Sequence, residues 1–296
     1  MLTQYWRLGN IWYFAVIALV VIVSFFLYHH LKEKNKEEIY KFLYKLTLLN
    51  LAFHFLRLIF PPYVYDFKNN DDLRVLRVVG FENICAVNTL LGPLLFKSKN
   101  KYVRDYYMVI ACVGGLVALT IPITPYIHRD LFSFDMIRYF VSHYLLFIIP
   151  ILTFIFKLHE FSYKRFWALP ISFFLCLSLI YLNENLTYDL GWVNEKRNFS
   201  LIYGPPEQTP AAFDPLKNFL ISLVPDNLKN YVDQNGNLVQ VTPLLWLINP
   251  FLCILFPFSF ILFSILDKRN FVKDSKNFWE RTKEKFNKAK KNSKPH

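Results

Sequence analysis

The chain has 296 residues, 54% of them hydrophobic and 19% aromatic but only 19% charged, with a net charge of +12 and a mean hydropathy of +0.25. Soluble proteins carry about 25% charged residues, so this composition excludes a soluble globular enzyme and points to the bilayer. The length suits one helical bundle with no second, soluble domain.

Seven apolar stretches are long enough to cross a membrane, because a run of roughly 18 or more apolar residues closes its own backbone hydrogen bonds as a helix in lipid. They fall at 11–28, 40–60, 81–96, 106–121, 134–156, 166–182 and 244–266. The first has no small-residue cleavage site and runs straight into Lys32, Lys34 and Lys36, so it reads as a retained anchor. The fold class is thus all-α, a polytopic membrane helical bundle of seven helices over residues 1–266. Residues 267–296 form a separate basic tail.

Lys and Arg set the orientation. The connection after the first stretch carries Lys32, Lys34, Lys36 and Lys41. The one after the third carries Lys97, Lys99, Lys101 and Arg104, and the one after the fifth carries Lys157, Lys164 and Arg165. The tail has eleven Lys/Arg against four Asp/Glu, a net +7. All four belong on the cytoplasmic side, which puts the N-terminus outside and the chain in the plasma membrane. The outer loop, 183–243, contains Gly204-Pro205-Pro206 and an amphipathic stretch interrupted at Pro225, and predicts one or two short helices.

The tail places Phe271, Phe278, Trp279 and Phe286 at near-helical spacing among Lys and Arg. That pattern predicts a helix whose partner is the anionic lipid of the inner leaflet. A nucleic-acid partner has no other support in the chain and is not expected. The four cysteines, 85, 112, 176 and 253, all fall inside apolar stretches and show no disulfide or zinc spacing. Cys112, Cys176 and Cys253 read as small buried hydrophobes.

Polar residues within the stretches gather in the outer half. Asn50, His54 and Arg57, spaced i, i+4, i+7, share one helical face. Glu82, Cys85 and Thr89 share another, beside Asn83 and Asn88, and the fifth stretch opens with Asp135, Arg138, Ser142 and His143. At about 1.5 Å per residue, Cys85 lies roughly 6 Å below its boundary, His54 roughly 9 Å and His143 roughly 13 Å. Such depths suit one layer. A cysteine facing a histidine has a definite chemistry, because the thiolate is the nucleophile and an imidazole or a positive field favours it. Arg57 and Arg138 are candidates for that field or for holding a lipid phosphate, and Glu82 for orienting an imidazole or pairing with an arginine. A buried structural network bridging helices is the alternative for the histidines and arginines.

Three segments carry a family resemblance: Glu82-Asn83-Ile84-Cys85, then Ala118-Leu119-Thr120-Ile121-Pro122-Ile123-Thr124-Pro125, then Tyr139-Phe140-Val141-Ser142-His143-Tyr144. With Asn198 to Pro206 in the outer loop, they resemble the YwaF-like integral membrane family, to which transmembrane protein 164 of animals belongs. The likeness covers roughly residues 40–265. The family's Pro-Leu-His-Leu-Cys signature reads Phe81-Glu82-Asn83-Ile84-Cys85 here, without its proline and histidine. The resemblance implies acyl transfer between phospholipids through a cysteine thioester. Cys85 would then be the nucleophile and His143 the base, with Asn50, His54, Arg57, Glu82 and Arg138 around the substrate. Membrane phospholipids are the expected partners, and no soluble cofactor, acyl-CoA or metal is called for. A solute transporter is the competing reading, on the strength of Gly114-Gly115, Pro150 and Pro250 inside apolar stretches. A non-catalytic assembly or lipid-sensing protein is the third.

Overall fold

The computed structural model describes residues 11–61, 63–66, 74–120, 133–198, 200–204, 214–232 and 238–292. Ile121 to Pro125, Phe199, Pro205 and Pro206, all part of the resemblance above, lie outside the described residues. The described chain is almost wholly helical, and six of its helices are long and apolar enough to cross a membrane.

Helix α1 (Ile11–Leu31) sits at the edge of the bundle with Phe14, Leu19, Val21, Ile22, Phe25 and Phe26 exposed, a surface suited to lipid rather than water. It touches the fifth apolar stretch through Ser24, whose hydroxyl lies 3.2 Å from that of Tyr144. Helix α2 (Lys36–Leu56) starts at a capping box in which Asn35 and Glu38 satisfy each other's backbone N–H groups. Short helices α3 (Tyr63–Asp66) and α4 (Arg74–Val79) follow at the outer end.

The third apolar stretch is not one helix but two, α5 (Ile84–Leu90) and α6 (Gly92–Lys97). Asn83 caps α5 by accepting from the Ala86 N–H. Pro93 has no N–H to donate back to Thr89, so the ladder breaks at Leu91 and restarts with Pro93 in the first turn of α6. The pair nevertheless runs antiparallel to α2 along nearly its whole length. Arg57 faces Glu82, Asn50 donates to Thr89, and Tyr40 stacks on Phe96 with ring centroids 5.0 Å apart. From Arg57 back to Tyr40 is about 26 Å at 1.5 Å per residue, close to a hydrocarbon thickness of about 30 Å.

Helices α7 (Lys101–Tyr106) and α8 (Cys112–Thr120) are joined by a π-helical turn, Tyr107–Ala111, into one crossing. Helix α9 (Phe134–Ile155) packs on both α8 and α2 and supplies much of the core, including Leu145, Leu146, Ile149 and Leu152. Helix α10 (Ala168–Asp189) packs on α5 and α7.

Among the described residues the long loop after α10 carries the expected short helix, α11 (Asp214–Ser222), a 3-10 turn at Asp226–Leu228 and, beyond expectation, a two-stranded antiparallel hairpin, β1 (Lys229–Val232) and β2 (Leu238–Val241). Period-two patterning over four-residue strands is too short to read beside an amphipathic helix. The loop is tied down as a folded cap: Trp246 is fully buried and donates its indole N–H to Leu201, and Leu244 donates to Ile202. Gly204, at φ +131°, lets the chain pass under Val241, whose Cγ2 would be 3.0 Å from any added Cβ. The final crossing comprises α12 (Ile248–Pro250), a π-helical turn at Phe251–Leu255 and α13 (Phe256–Leu266), and the tail is helix α14 (Lys268–Asn292).

Candidate functional site

Three helices bring the outer polar residues together. On α2, His54 Nε2 lies 3.1 Å from the Val79 carbonyl, and a carbonyl only accepts, so that nitrogen carries the proton. Arg57, one turn further, donates to the Val78 carbonyl, stacks on Tyr63 at 5.5 Å and stands 3.9 Å from Glu82. On α9, Arg138 donates to Asp135 Oδ1 from both Nε (3.2 Å) and a terminal nitrogen (3.0 Å). The charges of Arg57 and Arg138 reach His54, His143 and Glu82 alike. Asn50 donates to Thr89 Oγ1 at 3.4 Å, which leaves its own buried Oδ1 without a hydrogen bond.

Cys85 belongs to a different neighbourhood. Its side chain is half-buried in the first turn of α5, and its sulfur faces Gly114 of α8. One turn deeper, Asn88 is fully buried, donates to the Ile84 carbonyl and leaves Oδ1 without a partner. Ser142 Oγ on α9 is also buried and unsatisfied.

The link between Cys85 and His143 is the Gly114-Gly115 pair of α8. A Cβ on Gly114 would lie 3.5 Å from Cys85 Sγ. A Cβ on Gly115 would lie 2.6 Å from the His143 carbonyl oxygen and 2.7 Å from the Phe147 nitrogen, distances no side chain tolerates. The two glycines therefore let α8 lie flush against α9 while facing the sulfur, and they set Cys85 and the His143 turn at one level. Tyr139 strengthens the seam by donating its hydroxyl to the Ala118 carbonyl at 2.8 Å. His143 donates Nδ1–H to the Tyr139 carbonyl at 2.7 Å, so Nε2 holds the lone pair a base needs. The thiol and this ring are not hydrogen-bonded to each other. Among the described residues no three His, Cys, Asp or Glu side chains converge as a metal site requires.

Two buried ion clusters were not singled out from the sequence. At the end of the bundle next to α4, Arg77 pairs with Glu184 Oε1 at 3.3 Å and donates to the Glu195 carbonyl, while Glu184 also accepts from the Arg197 backbone at 2.6 Å. At the end next to α7, Asp105, fully buried, takes His159 Nε2 at 2.6 Å and Arg165 Nε at 2.6 Å. Asp105 directly follows the Lys97–Arg104 run whose charges looked topogenic, and a lone acidic residue there at the mouth of an apolar helix was the available signal.

Apolar helices sheathed in exposed aliphatic and aromatic side chains, with charge buried at both ends, define a polytopic membrane protein. The family model for the TMEM164 family matches residues 4–224, three quarters of the chain, and the chain belongs to that family. The matched stretch includes Cys85 and His143 and ends before the last crossing and the tail. No curated protein and no solved structure matches the chain.

Proposed function

We propose that this chain is a cysteine-dependent acyltransferase of the membrane, acting on glycerophospholipids and lysophospholipids from the outer side. The observation that carries the reading is the Gly114-Gly115 seam, which holds Cys85 and a histidine with a free Nε2 lone pair at one level. In the first step His143 Nε2 takes the Cys85 thiol proton and Sγ attacks the ester carbonyl of a donor phospholipid. The C–O bond breaks, the acyl group stays on sulfur as a thioester, and the leaving lysolipid oxygen receives the proton from His143. In the second step a lysolipid hydroxyl gives its proton to His143, attacks the thioester and releases the thiol. Donor and acceptor supply every atom, and no cofactor enters. Substrate entry must bring Sγ and Nε2 within reach, as catalytic contacts often tighten only in the complex. Asn50, His54, Arg57, Glu82 and Arg138 form the polar surroundings assigned to the head group.

The same reading gives the chain seven crossings, N-terminus outside and C-terminus cytoplasmic, in the plasma membrane. The antiparallel register of α5 and α6 along α2 supports counting that broken pair as a crossing. One domain of residues 1–266 with the tail 267–296 appended follows from that count. A solute transporter is the second reading, favoured by the break at Leu91 and the π-helical turns at Tyr107–Ala111 and Phe251–Leu255.

The test uses purified protein in mixed micelles with a phospholipid labelled in its acyl chain and an unlabelled lysolipid. Label moves to the lysolipid with wild type, not with Cys85→Ala, and about 10²–10⁴-fold more slowly with His143→Gln. Transfer that survives Cys85→Ala removes the thioester. Solute uptake unaffected by that substitution, without transfer, supports the transporter.

A further inference from the structure

Helix α14 carries an unpartnered face with a definite composition. Phe271, Ser275, Phe278, Trp279, Thr282 and Phe286 fall on one side at helical spacing. Phe278, Trp279 and Phe286 are 69–72% exposed. The rest of the helix bears ten Lys/Arg against Asp274, Glu280 and Glu284, a net +7. In water such a face is unstable, and beyond Phe271 no described part of the bundle covers it.

The start of α14 shows how it is aimed. The chain bends at Asp267, with φ −112° and ψ 37°, and Phe271 folds back to meet Phe260 and Tyr163 at ring distances of 5.8 and 5.3 Å. In an unbroken helix Phe260 and Phe271 would stand about 16 Å apart along the axis, so α14 leaves the direction of α13. A clasp fixes its rotation. Asp267 accepts from the Tyr163 N–H at 3.2 Å, and Asp274 accepts from the Tyr163 hydroxyl and from Lys164 Nζ, both at 2.7 Å. The Lys164 ammonium, with the Tyr163 hydroxyl, holds the Asp274 carboxyl below the usual carboxylate range.

We propose that α14 is a built binding surface for an anionic lipid leaflet, turned off the bundle at Asp267 and held by the Asp274 clasp so that Phe278, Trp279 and Phe286 enter the headgroup boundary. Charge complementarity selects this occupant: aromatic side chains flanked by lysines suit acidic headgroups above acyl chains. The inference rests on the cytoplasmic placement of the tail and not on acyl transfer, so either can fail alone.

The full chain is reconstituted in nanodiscs of phosphatidylcholine alone or mixed with phosphatidylglycerol, and amide hydrogen exchange is followed along residues 275–290. Exchange slows about tenfold or more in the anionic discs only, and the slowing is lost in about 1 M salt, where the Debye length is about 3 Å. Replacing Phe278, Trp279 and Phe286 by Ser abolishes it while α13 amides stay unchanged, which guards against misfolding. Equal exchange in both discs overturns the proposal. So does protection that persists in detergent and grows with protein concentration, because a second copy of the chain is then the occupant.

Discussion

Asp105, at one end of the bundle, is enclosed by His159 and Arg165 at 2.6 Å each, and both its carboxylate oxygens are used. Toward the opposite end Arg57 stands 3.9 Å from Glu82, Asn50 reaches Thr89 only at 3.4 Å, and the buried oxygens of Asn50, Asn88 and Ser142 lack partners. Buried polar groups that are fully paired act as structure, whereas an under-satisfied group in a native fold asks for an explanation such as a ligand or a catalytic role. The first cluster locks α7 to the loop between α9 and α10. The second surrounds the helix that carries Cys85.

The contrast can be broken by mutation. Asp105→Ala leaves the buried His159 and the half-buried Arg165 without their carboxylate and is expected to destabilise the protein by about 3–5 kcal/mol, read as a fall in thermal midpoint in detergent. Gly115→Ala pushes a methyl into the backbone of His143 and Phe147 and should cost about 1–3 kcal/mol through separation of α8 and α9. Acyl transfer should fall further than that stability loss accounts for, because the His143 turn itself moves. Asn50→Leu removes a long hydrogen bond and an unsatisfied oxygen together, so its effect on stability should stay within about 1 kcal/mol. A loss as large as that of Asp105→Ala would mean that the outer cluster is a structural lock too. The smallest effect belongs to the tail clasp. Asp274 has a depressed pKa in the folded chain, so its contribution is present above the ordinary carboxylate value of about 3.9 and is lost as pH falls below it. Protection at the start of α14, taken relative to intrinsic amide exchange at each pH, should therefore be unchanged from pH 8 to about pH 5 and fall below about pH 4.

How much of this was legible in the sequence differs by region for physical reasons. Asn50, His54 and Arg57 announced their shared face, because an i, i+4, i+7 pattern inside an apolar run survives any tertiary detail. The site residues on α5 were placed in the right stretch, but the break at Leu91 was missed even though Gly92-Pro93 stands there. An uninterrupted apolar run outweighed the breaker. Asp105 and Glu184 were passed over because sequence shows charge at a helix end without showing what encloses it. The hairpin of the cap packs through Val241 beside Gly204 and Ile202, which are distant in the chain. Arg57 and Arg138 were expected near the histidines, but the partners they take, the Val78 carbonyl and Asp135, depend on a direction that helical spacing does not carry.

Intact-protein mass spectrometry shows whether Cys85 carries the acyl group. Protein incubated with a single donor phospholipid and no acceptor should gain the mass of one acyl chain, located on the peptide containing Cys85 and removed by neutral hydroxylamine. A Cys85 peptide that stays unmodified there, while the same preparation transfers the chain once lysolipid is added, would rule out the thioester.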